Sequence, residues 1–70
     1  MEVFPNPVHD QLIVKFNDEK THELSFYNAL GTKLWQATEI QKEVQIPVNQ
    51  YPKGVYFVKE GKNLQKILVD

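Results

Sequence analysis

Seventy residues with a net charge of −1 make at most one small domain, and a chain of this size buries only about 60% of the surface that its unfolded form exposes. With no cysteine and only two histidines, His9 and His22, neither disulfides nor a histidine-based metal cluster can staple the fold, which must rest on apolar packing and backbone hydrogen bonds. All eight cationic side chains are lysines scattered along the chain, which excludes the basic stripe and arginine forks of a nucleic-acid binder, and no apolar run approaches the roughly 20 residues that span a bilayer.

Val3-Phe4 reads as a weak first strand. In Phe4-Pro5-Asn6-Pro7 the prolines lack an amide hydrogen, so the stretch belongs at a sheet edge or in a lead-in loop. Asn6, biased to extended geometry by the proline that follows it, is expected to bond the local backbone and shape the approach to the next strand. Asp10 is expected to bond a backbone amide in the turn ahead of that strand.

Leu12, Val14 and Phe16 alternate with Gln11 and Lys15, a half-buried strand interrupted only by Ile13. Asn17-Asp18-Glu19-Lys20 is a polar turn. Leu24 and Phe26 alternate with Glu23 and Ser25, and Ser25 is read as a solvent-facing serine in mid-strand. Asn28-Ala29-Leu30-Gly31 places glycine where a positive φ is cheap. Thr32 to Ala37 reads as a strand, and Val44, Ile46 and Val48 then alternate with Glu43 and Gln45.

Tyr51-Pro52-Lys53-Gly54 sets proline at the second place of a turn and glycine at the fourth. Gly54 closes this turn, and Tyr56 packs its ring while its hydroxyl finds a partner at the rim. Val55 to Glu60 and Leu64 to Val69 are strands joined by the short connection Glu60-Gly61-Lys62-Asn63. Strands recurring every 8–12 residues predict an all-β, seven-stranded antiparallel immunoglobulin-like sandwich with Greek-key connections and no helix beyond a single turn. Its inward residues should include Leu12, Val14, Leu24, Phe26, Leu34, Val44, Ile46, Tyr56 and Val58. Residues 1–70 form one domain on this reading, with no repeat or low-complexity segment.

Catalysis finds no support. Ser25 is the only serine, it lies within a strand, and no nucleophile elbow surrounds it. His9 and His22 stand too far apart for tight ligand spacing, so no catalytic or metal-ligating residue and no cofactor is assigned. Lys66, in an otherwise apolar strand Lys66-Ile67-Leu68-Val69, is either a gatekeeper against edge pairing or a charge read by a receptor.

Four segments in order carry a resemblance. Phe4-Pro5-Asn6-Pro7 with Asp10, Tyr27 to Leu34 around Gly31, Ile46-Pro47-Val48 through Gly54-Val55-Tyr56, and Lys66-Ile67-Leu68-Val69 together resemble the C-terminal sorting domain (type A) of cargo proteins of the type IX secretion system of Bacteroidetes. Tyr51, Pro47 and Asp70 depart from the family's usual leucine, acidic and basic residues. The resemblance covers essentially the whole chain.

It implies a sorting signal: Pro5, Asn6, Pro7, Gly31, Gly54, Tyr56, Lys66, Ile67, Leu68 and Val69 would define the fold or be read by the outer-membrane translocon. A sortase-like protease would then remove the module, and in many cargos link the parent to an anionic lipopolysaccharide. The parent protein, which would supply an upstream domain and an export signal absent at Met1, would pass through the periplasm to the cell surface or medium. No membrane insertion is implied. Two other readings stand beside this one. A carbohydrate-binding or adhesive module would be supported by Trp35 and Tyr27 on one exposed face. An immunoglobulin-like spacer would have no recognition role. The sequence leaves open whether sheet edges pair into a homodimer, and whether Trp35, Tyr27 or Phe57 form a ligand surface.

Overall fold

The computed structural model describes residues 1–70 as seven strands with no helix. They are β1 (Glu2–Phe4), β2 (Gln11–Lys15), β3 (His22–Asn28), β4 (Lys33–Ile40), β5 (Glu43–Pro47), β6 (Gly54–Glu60) and β7 (Asn63–Val69). Two antiparallel sheets, ordered β1-β2-β5 and β4-β3-β6-β7, face one another in an immunoglobulin-like sandwich. The connections β2–β3, β4–β5 and β5–β6 cross between the sheets, so neither sheet is built from one contiguous stretch of chain.

Period-two patterning puts one face of each strand inside. Val14 sits opposite Val44 and Leu12 opposite Ile46 in one sheet; Phe26 sits opposite Val58, and Tyr56 opposite Ile67, in the other. Leu12, Val14, Leu24, Phe26, Ile46, Tyr56 and Val58 are buried as the alternation predicts, while Leu34 and Val44 are half-buried and pack against the same core. Phe16, Ile40, Val48, Ile67 and Val69 complete it, together with Val8, a loop residue with no exposed surface.

Three local features depart from simple alternation. A register shift between Phe26 and Tyr27 puts an extra residue into β4, so Leu34 and Trp35 both reach the core side. Trp35 lies opposite Phe26 and therefore on the inner face, whereas Tyr27 points outward; the two rings do not share a face. Ser25 points outward, between Gln36 and Lys59 in the register, yet only 9% of it is accessible: the strands on either side cover it, contrary to the solvent-facing expectation.

Phe26 stacks on Tyr56 at 5.3 Å between ring centroids, and Tyr51 tilts against both. This cluster fills the middle of a domain whose total stability is expected at about 0.05–0.15 kcal/mol per residue. Phe26→Ala should cost about 3–5 kcal/mol, a large part of that total, measured as a shift of the urea unfolding midpoint with the slope unchanged.

Candidate recognition site

The first and last family-like segments meet in space. Asn6 donates from Nδ2 to the Lys66 carbonyl at 3.3 Å and accepts the Leu68 amide at Oδ1 at 3.0 Å. Two residues on, the Val8 amide donates to the Leu68 carbonyl at 2.9 Å, and the Val8 carbonyl accepts from the Asp70 amide at 2.8 Å. Val8 thus makes a parallel bridge to Val69.

In a parallel ladder, a residue donates to the carbonyl one place before its partner and accepts the amide one place after. Val8 does this across Val69. The Asn6 carboxamide repeats the pattern one step earlier, across Ile67, with a side chain in place of a peptide group. Pro5 and Pro7, having no amide hydrogens, cannot compete for those carbonyls. The expectation that Asn6 bonds the local backbone is therefore corrected: its partners lie 60 and 62 residues away. Asp10 is corrected too, because its carbonyl rather than its carboxylate makes the bond, accepting the Val48 amide at 2.8 Å.

The other singled-out residues shape the backbone. Gly31 has φ +87° in the β3–β4 turn, where the Asn28 carboxamide oxygen accepts the amides of Leu30 and Thr32. Gly54 starts β6 at φ +152°, which side chains disfavour. Tyr56 donates its hydroxyl to the Pro52 carbonyl at 2.6 Å. A tyrosine near the start of this strand bonding a few residues upstream is the tyrosine corner of immunoglobulin-like domains. Ile67 and Val69 are buried, while Lys66 and Leu68 project from the opposite face of β7.

Sequence reasoning missed a second tie. The His22 ring stacks on Phe16 at 3.9 Å, its Nδ1 lies 2.8 Å from Glu60 Oε2, and its Nε2 lies 2.8 Å from Asp18 Oδ1. Carboxylates on both nitrogens require both to donate, so the geometry suits imidazolium. They also sit on opposite sides of the ring, so the three groups cannot converge on one metal ion. The hydrogen bonds that His22 donates to Glu60 and then Asp18 raise its pKa, and the bond from His22 is the largest influence lowering that of each carboxylate. A histidine opening a strand, with Asp18 four residues before it, is the only hint the sequence held.

The sequence profile of the secretion system C-terminal sorting domain matches residues 2–69. The chain belongs to this family, and so is a sorting signal for type IX secretion. Such modules are non-catalytic tails that engage the type IX machinery, and they direct export across the outer membrane to the surface or the extracellular space. Searches of curated proteins and of solved structures found no match.

Asn6→Ala should cost about 1–2 kcal/mol for two exposed hydrogen bonds and release the Leu68 amide to fast hydrogen exchange. Asn6→Asp keeps the acceptor for Leu68 but sets a carboxylate oxygen against the Lys66 carbonyl, so Leu68 should stay protected while stability still falls.

The His22 tie should show in the pH dependence of the thermal midpoint. Its histidine share is complete below the unfolded pKa of about 6.5 and is lost as pH rises through the higher folded value. Its carboxylate share is present above their unfolded values of about 4 and is lost as pH falls through the lower folded ones. The midpoint should therefore peak between about pH 4.5 and 6.5, and His22→Gln should flatten the alkaline limb.

Proposed function

We propose that this chain is the sorting signal of a longer exported protein, read by the outer-membrane translocon as a folded surface rather than as a linear peptide. A sortase-like protease then removes it from the cargo. The observation that carries this reading is the hydrogen bonding of Asn6 to Lys66 and Leu68: the two family segments form one unit only when the sandwich is complete. On this reading Pro5, Asn6, Pro7, Gly31, Gly54 and Tyr56 act by holding the fold. Ile67 and Val69 act from the core, and Lys66 and Leu68 offer side chains to a receptor.

The adhesive alternative has lost the observation that would have favoured it, since Trp35 and Tyr27 occupy opposite faces of their sheet. Fusing the whole chain behind a periplasmic reporter in a host with a type IX system should bring the reporter to the surface or medium. Asn6→Ala should lower export in step with its loss of thermal stability. A reporter that stays periplasmic behind a folded module would refute the sorting role and leave the spacer reading. An unstable Asn6→Ala variant that is exported in full would refute the dependence on fold.

A further inference from the structure

The side of the β4-β3-β6-β7 sheet that faces away from the core carries a surface of distinct chemistry. Register sets Tyr27 beside Phe57 and Lys66, Val55 beside Leu68, and Ser25 beside Lys59 and Leu64. Leu64 is 63% and Leu68 45% exposed, with Val55 and Phe57 half-buried between them and β3. Along the outward face of β7 the order is Leu64, Lys66, Leu68, with Lys59, Phe57 and Val55 beside them on β6, and a shallow groove lined by Tyr27, Phe57, Lys59, Lys62 and Leu64 runs alongside.

Charge is distributed unevenly on this face. The chain as a whole carries −1, yet Lys66 lies between the two leucines, Lys59 stands beside Leu64, Lys62 lines the same groove, and Lys33 stands opposite Tyr27 on β4. Glu23 is the one carboxylate among the residues lining the neighbouring depression. None of these four lysines lies within 4.0 Å of a carboxylate; the chain's single lysine ion pair joins Lys15 to Glu43, on the other sheet. The face is cationic, its lysines have no carboxylate partner, and they alternate with apolar side chains.

We propose that this face docks a protein surface presenting carboxylates interleaved with apolar side chains. The inference rests on the sorting role and names the chemistry of the partner that reads it. A second copy of the chain does not fit, because a two-fold contact through this face would bring the same lysines together. An anionic polysaccharide fits less well, because the most exposed apolar residues, Leu64 and Leu68, are aliphatic and the rings of Tyr27 and Phe57 are half-covered, leaving no broad aromatic platform for sugars. Lysines interleaved with apolar residues steer an acidic partner in and fix its orientation, while the leucines supply the area to be desolvated.

Two double reversals with equal change in net charge test this in the reporter fusion. Lys59→Glu with Lys66→Glu alters the face; Lys20→Glu with Lys42→Glu alters turns elsewhere. The first should lower secretion at least about tenfold while its thermal midpoint stays near that of the unaltered chain. The second should secrete normally. Leu64→Ser should also lower secretion without unfolding, since that side chain is largely in solvent. Normal secretion of the Lys59/Lys66 variant, or equal loss in both charge variants, overturns the docking surface while leaving the sorting role intact. Dimerisation of the unaltered chain in sedimentation, abolished by Leu64→Ser, overturns it in favour of self-association. Periplasmic retention of the unaltered fusion overturns the sorting role and this inference with it.

Discussion

Everything at one end of this sandwich depends on closing the outer edge of β7. An edge strand presents a row of amides and carbonyls to any chain that can pair with it, and β7 combines that edge with the aliphatic run Ile67-Leu68-Val69. Asn6 and Val8 occupy the Lys66 to Asp70 stretch of the edge with four hydrogen bonds. The same segment leaves β1 in one sheet and bonds a strand of the other, so it also ties the two sheets together. Burial of Val8 follows directly: a residue crossing from sheet to sheet passes over the open end of the core.

The tyrosine corner and the histidine tie stabilise other points in the same way, by joining a loop to a strand. Tyr56 anchors the β5–β6 crossing through Pro52, and its ring continues the Phe26 and Tyr51 stack. His22 links the β2–β3 crossing through Asp18 and Phe16 to the end of β6 through Glu60, with only 10% of its side chain exposed. A small core leaves little margin, and crossings between sheets are where a short-stranded sandwich opens first. The ordered polar contacts concentrate there.

Strand positions and most of the core were legible because alternation commits a face, and turns at Gly31, Gly54 and Gly61 punctuate it. What escaped was pairing at long range. Nothing local to Asn6 says that its carboxamide meets a strand 60 residues on. The face of Trp35 stayed open in the sequence because the bulge opposite Phe26 breaks the count of two, and Ser25 was misjudged because facing outward on a central strand still leaves room for neighbours to cover a small side chain. His22 was weighed for catalysis and metal binding, but its partners come from positions 4 and 38 residues away, one in the β2–β3 connection and one at the end of β6. The family was legible through resemblance; the contact that each motif residue makes was not.

That division bears on how an address can be a domain. The most distinctive residues, Asn6, Gly31, Gly54 and Tyr56, are committed to backbone bonds and to φ values that a receptor cannot inspect directly. The freely presented chemistry lies on lysines and leucines, residue types too common to mark a chain as linear sequence. Fixed on adjacent strands about 4.8 Å apart, the same residues become a surface with one shape and one charge pattern. A receptor reading such a surface tests the fold and the address in a single contact, and an unfolded copy, which has the residues but not their arrangement, offers it nothing to hold.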